Sequence, residues 1–499
     1  MASAQTDGAT SGQEIVNPPD VVAVNGLLEY TLTAAPAQIT VAGQSFVSNV
    51  YNGTYTPPVF RLKRGDTLKI HFVNNIDASD MLIKAAEPSN LHYHGLNISP
   101  QESSDNIYIS IPSSRQSGPD AATEQMLKMD GAKPSYDTNF PTVADLVKSS
   151  PNYTYEWTVP GNHPQGIYWV PPHQNTEAQI LSGMSGLMVI EGALEQHYPE
   201  LANAERRTLI LKDIDLPGHA DGSPKAKTIN GILGGVMRTK PGEVEVWEVG
   251  NIGADSFFDL AVDGHKMWVL GRDGNTALRP EKVESIYLPP ASRALIAIQV
   301  GAVGTYGVRS LEVDTGSMGD PNPSVQIASF VVEGTPVDNT ALVQRLAEPA
   351  SVPEEIEPSA DTLQKAKIAR KRTVEYTETA DGLKFFINGK AHDMARIDFK
   401  ANLGDIEEWT IINKTDERHT FHIHQIDFLV TELNNSDEDA TGLRDNIDIP
   451  PRDPVTGEPG KVTLILPFTD PAIVGKFPFH CHISEHGDNG MMANMLIKP

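Results

Sequence analysis

The sequence predicts an all-β protein made of three related domains, and two observations lead to that prediction. Short runs of alternating or β-branched residues, bounded by Gly, Pro, Asn and Asp, recur along the chain, whereas long helical periodicity is nearly absent. A longer strand pattern occurs three times, as RGDTLKIHFVNN, PGEVEVWEVGN and LGDIEEWTIIN. In every copy the Gly to Asn interval is nine positions, from Gly65 to Asn74, Gly242 to Asn251 and Gly404 to Asn413.

An Asn-Gly dipeptide precedes each copy of the pattern, which supports an internal triplication. Both residues tolerate positive φ and therefore favour tight turns. The three dipeptides are Asn52-Gly53, Asn230-Gly231 and Asn388-Gly389. The copies lie about 170 residues apart, and 499 residues exceed one ordinary hydrophobic core, so we expect three related domains.

Composition shifts predict where the domains begin and end. The stretch between the second and third domains is rich in Pro, Ala and charged residues, which is typical of a linker with a little helix. The predicted segments are an N-terminal tail at 1–20, domain one at 21–195, domain two at 196–335, the linker at 336–372 and domain three at 373–499.

Charge and composition limit the classes of partner. A formal net charge of −26 and a pI near 4.9 repel phosphate backbones and anionic lipids, so we expect neither nucleic acid nor a membrane as partner. No stretch approaches the roughly 18 to 20 apolar residues that a membrane span needs. The first residues lack the basic and apolar regions of a secretory peptide, and a single cysteine, Cys481, excludes an intramolecular disulfide.

The histidines concentrate in four short segments, which hold nine of the fifteen. The segments read LHYHGL, VPPHQ, HTFHIHQ and FHCHISEHGDNGMM. Two histidines separated by one residue project from the same face of a strand about 7 Å apart, which is a metal-chelating geometry. Imidazole suits copper, zinc, iron and nickel, so these pairs alone leave the metal open. Domain two offers only His265 at the corresponding place.

Cys481 narrows the choice of metal. In His480-Cys481-His482 the two imidazoles point to one side of the strand and the thiolate to the other, so two metal sites would be joined by a few covalent bonds. His486 and Met491 lie just downstream and can fold back to the thiolate, and His419 of the neighbouring histidine segment supplies a second imidazole. Two histidines, one cysteine and a weak thioether form the ligand set of a blue-copper electron-transfer centre.

Together the four segments resemble those of laccase-type multicopper oxidases of the bacterial three-domain type, and the resemblance covers essentially the whole chain. It implies three cupredoxin-like Greek-key β-sandwich or barrel domains and four copper ions. By this resemblance the type 1 copper is held by His419, Cys481, His486 and axial Met491. The type 2 copper is held by His92 and His422, and the type 3 pair by His94, His173, His424, His480 and His482. The cluster would lie between domains one and three, with domain two as a spacer.

The second histidine segment departs from the family's pattern, in which HxH follows an aromatic pair. Here Pro171, which has no side-chain donor, occupies a ligand position, and the type 3 copper shared by His94 and His482 loses an imidazole. We expect weak or partial copper occupancy there. Three explanations compete: a shifted register with a substitute such as His163, a deliberate change, or a naturally under-ligated site completed by water or hydroxide.

A second departure concerns protons, since four-electron reduction of dioxygen consumes four of them and general acids must deliver them. Related enzymes often place a carboxylate right after the histidine that matches His486, and here that residue is Gly487. The relay is therefore expected to fall to Asp105, eleven residues after His94, or to Glu485.

The resemblance implies an oxidase that takes single electrons from phenols or aromatic amines and reduces dioxygen to water. One alternative is a cuprous ion oxidase in copper tolerance, although the 13 methionines are mostly scattered. Another is a catalytically weakened copper-binding or electron-transfer protein, as Pro171 suggests. Family habit and the lack of disulfides favour a periplasmic or secreted bacterial location.

Overall fold

The computed structural model describes residues 12–83, 85–116, 146–220, 222–351, 358–434 and 442–499. Strands dominate these residues and the helices are short, which confirms the all-β prediction. The described strands form six sheets, and these sort along the chain into three successive pairs.

The first pair consists of two four-stranded sheets, with strand orders β1-β4-β8-β7 and β3-β2-β5-β6. Their bounds are β1 Asp20–Val22, β2 Leu27–Val41, β3 Gln44–Tyr51, β4 Val59–Leu62, β5 Thr67–Asn74, β6 Asn152–Thr158, β7 Ile167–Val170 and β8 Gly186–Ile190. Upstream of β1, Ile15 is buried in the core of the second pair of sheets, and its N–H donates to the carbonyl of Val236.

The second pair consists of a six-stranded sheet, β10-β9-β12-β17-β14-β15, and a five-stranded sheet, β11-β19-β18-β13-β16. Their bounds are β9 Glu205–Ile214, β10 Ala226–Ile229, β11 Gly235–Thr239, β12 Val244–Asn251, β13 Phe258–Val262, β14 Met267–Arg272, β15 Asn275–Val283, β16 Ser285–Leu288, β17 Arg293–Gln299, β18 Gly304–Ser310 and β19 Val325–Val332. Alternating apolar residues of both sheets face each other and form one core.

The third pair repeats that architecture, with strand orders β21-β20-β23-β28-β25-β26 and β22-β30-β29-β24-β27. The bounds are β20 Arg370–Glu378, β21 Phe385–Ile387, β22 Phe399–Asn402, β23 Asp405–Asn413, β24 His419–Ile423, β25 Phe428–Leu433, β26 Leu443–Arg444, β27 Asn446–Ile449, β28 Gly460–Phe468, β29 Gly475–Cys481 and β30 Met492–Lys498.

Short helices connect the sheets. They are α1 Thr176–Ser182, α2 Ala193–His197, α3 Thr340–Arg345, α4 Ala360–Gln364 and α5 Ser484–Asp488, with 3-10 turns at Pro199–Leu201 and Pro471–Ile473. Helices α3 and α4 fall between the second and third pairs of sheets. Among the described helices none is long and apolar enough to cross a membrane.

The threefold sequence pattern corresponds to a threefold structural repeat. Strands β5, β12 and β23 each pair in parallel with one neighbour and antiparallel with the other. Each Asn-Gly turn has positive φ at both residues. The turn asparagine also accepts a backbone N–H from an equivalent strand residue, at 2.6 to 2.8 Å: Thr33 to Asn52, Ile210 to Asn230 and Glu375 to Asn388. One local design therefore fixes the strand register in all three pairs.

Candidate metal centre

Two adjacent strands of the third pair of sheets carry most of the predicted ligands. In the antiparallel pair β24 and β29, Phe421 lies opposite Cys481 and His422 lies opposite His480. Because side chains alternate along a strand, Cys481 enters the sandwich core while His480 faces the other side. The pairing thus places a thiol on one face and imidazoles on the other.

On the core face, donor atoms of His419, Cys481 and His486 meet; together with Met491, which is buried in the same core, these residues make up what we call the thiolate site. The Cys481 Sγ lies 3.6 Å from the Nδ1 atoms of both His419 and His486, and those two nitrogens are 2.9 Å apart. Met491 is fully buried in the same core. Its amide hydrogen bonds to the carbonyl of His486, and its carbonyl accepts from Cys481.

In the thiolate site, the Nε2 atoms of His419 and His486 contact other side chains, so the Nδ1 atom of each ring faces the Cys481 sulfur. The Nε2 of His419 is hydrogen bonded to the Thr415 hydroxyl at 2.8 Å, and the Nε2 of His486 lies 3.4 Å from Glu417 Oε1. Burial lowers the pKa of His419 to about 3, so its imidazole is neutral and able to bind a metal. Burial raises the pKa of the Cys481 thiol to about 12, so a bound cation is needed to draw off its proton.

On the opposite face, seven histidines converge in what we call the histidine cluster. Its members are His92, His94, His173, His422, His424, His480 and His482. The Nε2 of His480 lies 3.4 Å from that of His173 and 3.2 Å from that of His424. Donor atoms of His92, His422 and His424 lie within 4.8 Å of one another. The seven histidines predicted for the type 2 and type 3 coppers, which come from all four sequence segments, are therefore brought together.

The donor set of the histidine cluster fits copper. Within the described part of the chain, several buried ring nitrogens lack a hydrogen-bonding partner: His92 Nε2, both nitrogens of His94, His422 Nε2, His424 Nδ1 and His482 Nδ1. Each unpaired buried polar atom costs about 1–3 kcal/mol, which a coordinated metal ion would offset. Burial lowers the pKa of every member, so the rings are neutral donors. Imidazole suits copper, zinc, iron and nickel, and the cysteine sulfur of the neighbouring thiolate site favours copper among them.

Asp105, one of the two predicted relay acids, lies against the histidine cluster. Both of its carboxylate oxygens lie 3.0 Å from the Nδ1 of His92, which leaves the Nε2 of that ring for a metal. The carboxylate also accepts the N–H of Tyr93 at 2.8 Å and the Nε2–H of Gln425 at 2.6 Å. Burial raises the pKa of Asp105 well above its ordinary value.

Glu485, the other predicted relay acid, lies on the thiolate side. It lines a cavity of about 190 Å³ that we call the thiolate-side cavity and that also reaches His486. Its backbone N–H points to the Asp255 carboxylate at 3.4 Å, and burial raises the pKa of its own carboxyl. Among the described residues Glu485 makes no hydrogen bond to a histidine of the cluster. The relay role of Glu485 therefore stays a prediction.

Pro171 lies beside the histidine cluster in a fixed register. The carbonyl of Pro171 accepts the N–H of His92 at 2.9 Å, and that of Trp169 accepts the N–H of His94 at 3.0 Å. His163 does not substitute, because its Nδ1 donates to the Pro164 carbonyl at 2.8 Å and its Nε2 accepts the N–H of Asn97 at 3.0 Å. A shifted register with His163 as replacement is therefore excluded.

The two departures from the family pattern border the same space. Pro171 and Gly487 both line a narrow cavity at the histidine cluster, together with His173, His480 and His482. The histidine that the family pattern places at position 171 and the acid that it often places at position 487 would thus line the same cavity. Sequence spacing does not show this, because the two residues belong to different pairs of sheets.

Comparisons with known proteins agree with this geometry. Two family models, both described as multicopper oxidase, match residues 194–335 and 357–499. The multicopper oxidase mco of Staphylococcus aureus is 25% identical over 492 residues, covering 95% of this chain and 89% of the relative. The laccase of Bacillus subtilis is 22% identical over 499 residues, covering 90% of this chain and 89% of the relative.

Solved structures give the same fold. A multicopper oxidase from Campylobacter jejuni, described as a metallo-oxidase, superimposes with a TM-score of 0.73 at 21% identity, covering 98% of this chain and 96% of that one. The laccase-like CueO of Ochrobactrum sp. gives 0.70 at 21% identity, covering 97% and 99%. These matches confirm the predicted cupredoxin-like sandwiches. The chain belongs to the multicopper oxidase family.

Proposed function

We propose that this protein is a laccase-like oxidase that takes single electrons from phenols or aromatic amines and reduces dioxygen to water. The observation that carries the proposal is the pairing of a substrate-sized cavity at His486 with a histidine cluster one covalent step beyond Cys481. Copper bound at these positions would supply one-electron acceptance at the thiolate site and four-electron reduction of dioxygen at the histidine cluster.

The thiolate-side cavity suits a small aromatic ring with a polar hydrogen. Phe257, Phe385 and Ile483 give it an apolar wall, and the Phe385 ring stacks on His486 with centroids 4.1 Å apart. Glu417 Oε1 is buried without a hydrogen-bonding partner among the described residues and lies 3.4 Å from the His486 Nε2. Burial and the neighbouring Glu378 raise the pKa of this carboxyl to about 9, so it is protonated near neutral pH. A turn of the Glu417 side chain toward the cavity would let a carboxyl oxygen accept a phenolic O–H or an aryl N–H.

Cys481 and its neighbours connect that cavity to the histidine cluster. The two flanking histidines share the main chain with Cys481, and the His480 Nδ1 donates to the Cys481 carbonyl at 2.8 Å. This hydrogen bond fixes the ring and leaves its Nε2 toward His173 and His424. The route from the thiolate to the cluster is therefore short and rigid.

Protons would reach the cluster from a second cavity, of about 400 Å³, which we call the Gln425 cavity. Gln425 lines it and donates to Asp105, which in turn contacts His92. Asp427 lines the same cavity, and burial raises the pKa of its carboxyl to about 7. A carboxyl with that pKa exchanges protons with solvent near neutral pH, and Asp105 can pass a proton on to the cluster.

Glu417→Leu tests the substrate part of the proposal. Leucine keeps a similar volume but removes the acceptor oxygen, so we expect KM for a methoxyphenol to rise about tenfold, the effect of one hydrogen bond. Steady-state oxygen uptake measures this. Asp381→Asn, on the exposed rim of the same cavity, is the matched control and should leave KM unchanged. Equal KM values for Glu417→Leu and the parent would contradict the assigned contact.

A second candidate function, oxidation of cuprous ion, is favoured by the acidic side chains and the thioether of the same cavity. Five carboxyl groups line it against two cationic side chains, and the exposed Met318 adds a thioether. Carboxylates with a thioether would attract and hold a copper cation. The lining acids are Asp255, Asp320, Asp381, Glu417 and Glu485.

Met318→Leu separates the two candidates, because it removes the thioether and keeps the volume. A cuprous ion oxidase would show a several-fold higher KM for cuprous ion and an unchanged KM for the methoxyphenol, measured by oxygen uptake under matched conditions. If Met318→Leu has the same KM as the parent for both reductants, Met318 gives no support to cuprous oxidation.

Either activity is consistent with a periplasmic or secreted location, which we propose because members of the family usually work there.

A further inference from the structure

Arg293 and Asp445 form a buried ion pair that the sequence did not reveal and that lies directly behind the histidine cluster. Arg293 belongs to β17 of the second pair of sheets, whereas Asp445 follows β26 of the third. The guanidinium binds both carboxylate oxygens of Asp445, with Nη1 to Oδ1 at 2.7 Å. Both side chains are fully buried, so the pair is shielded from solvent.

Further contacts fix the guanidinium from three directions. Its Nε donates to the carbonyl of Ile167 at 2.9 Å, and its Nη1 donates to the carbonyl of Ala291 at 2.9 Å. A second carboxylate, that of Asp273, lies 3.3 Å from Nη1 and accepts the backbone N–H of Arg293. Residues of all three pairs of sheets therefore meet at this one side chain.

Asp445 in turn faces two histidines of the cluster. Its carbonyl accepts from the Nδ1 of His422 at 2.6 Å. Its Oδ1 lies 3.8 Å from the Nδ1 of His94, a buried nitrogen with no partner in the described part of the chain. Gly95 makes the approach possible, because a Cβ at that position would overlap both the Asp445 Oδ2 and the Arg293 Nη2.

We propose that Arg293 and Asp445 are positioning residues of the histidine cluster, in which the carboxylate held by Arg293 faces the Nδ1–H of His94 at 3.8 Å and stabilises that tautomer electrostatically. A metal-bound imidazole needs an acceptor for its other N–H, and a carboxylate in that place fixes the tautomer and raises the basicity of the ligand. The effect falls on the metal position that Pro171 deprives of an imidazole. Domain two is then more than a spacer, since it orients a ligand of domain one through an acid of domain three.

This inference rests on the proposed cluster, so its test must separate the two. Asp445→Asn is isosteric, keeps the carbonyl contact to His422 and removes the charge that faces His94. Glu248→Gln is the matched control, because Glu248 forms a largely buried, two-point pair with Arg61 between domains one and two. Arg293→Lys, which keeps the charge and loses the two-point grip, serves if Asp445→Asn fails to fold.

Copper retention is measured by incubating the copper-loaded protein with increasing concentrations of a chelator. The readouts are total copper per chain and the electron paramagnetic resonance signal of the cluster copper. The visible absorption of the copper–thiolate bond is the internal reference. We expect Asp445→Asn to lose cluster copper at a chelator concentration about tenfold lower than the parent, with the thiolate absorption unchanged and Glu248→Gln like the parent. Arg293→Lys should shift in the same direction.

Three results would overturn the inference. Asp445→Asn could retain cluster copper like the parent, which removes the proposed effect on His94. Asp445→Asn and Glu248→Gln could shift equally, which assigns the loss to contacts between domains in general. A parent protein that binds copper at the thiolate site alone would overturn the cluster itself, and this outcome is recognised without any variant.

Discussion

Asp105→Asn is expected to lower kcat for oxygen reduction about 100-fold, the lower end of what a positioned general acid contributes. An asparagine oxygen can still accept the N–H of Tyr93, and Gln425 can turn its amide to accept from the new side-chain N–H, so the local geometry should persist. Oxygen uptake at saturating reductant measures the loss. The rate at which the reductant reduces copper at the thiolate site, followed by stopped-flow absorption without oxygen, should be unchanged.

The pH dependence of kcat is a second test of Asp105. Burial raises the pKa of Asp105, so its carboxyl stays protonated to a higher pH than an exposed aspartate and loses its proton as pH rises through the raised pKa. Activity that depends on this proton should therefore fall on the alkaline side, and Asp105→Asn should abolish that dependence. Glu485→Gln is the control, because Glu485 lies in the thiolate-side cavity. A larger loss of kcat in Glu485→Gln would contradict the assignment of Asp105.

Pro171→His is expected to raise copper binding at the cluster and, with it, the rate of oxygen uptake. The main chain of Pro171 is already held next to His92, so an imidazole at this position would enter the cavity beside His482. A missing outer-shell partner alone changes metal affinity about 10- to 100-fold, and a direct ligand should do at least as much. Copper per chain and oxygen uptake are measured side by side with the parent.

Pro171→Ala is the matched control for that substitution, since it releases the proline ring without offering a ligand. It should bind copper like the parent. If Pro171→His and Pro171→Ala both match the parent in copper content and oxygen uptake, position 171 does not limit the cluster. If the parent holds full copper yet consumes no oxygen with any reductant, the protein is a copper-binding or electron-transfer member of the family.

The sequence was informative wherever chemistry follows local spacing. The His-x-His pairs and the two-sided arrangement around Cys481 depend on strand alternation, which two neighbouring residues suffice to specify. The Gly to Asn repeat predicted three equivalent strands because the same turn and the same side-chain contacts recur in each copy. These features need no knowledge of distant contacts.

Other features were hidden because they depend on tertiary contacts or on helical direction. Arg293 and Asp445 are 152 residues apart and carry no motif, so only the folded chain shows that they meet. Glu485 directly precedes His486, but both lie in the short helix α5, where successive side chains point about 100° apart. Both side chains nevertheless line the thiolate-side cavity, so the position of Glu485 relative to the histidine cluster follows from tertiary contacts that sequence spacing does not specify.

The placement of Cys481, His480 and His482 together on β29 and its exit has a consequence for how the protein would come apart. The thiolate site lies within one sandwich, whereas the histidine cluster draws His92, His94 and His173 from the first pair of sheets. Loosening the contact between these sandwiches would scatter the cluster while the thiolate site stays assembled. Mild denaturation of the copper-loaded protein should thus preserve the visible absorption of the copper–thiolate bond and its reduction by a reductant, while electron transfer to the cluster is lost.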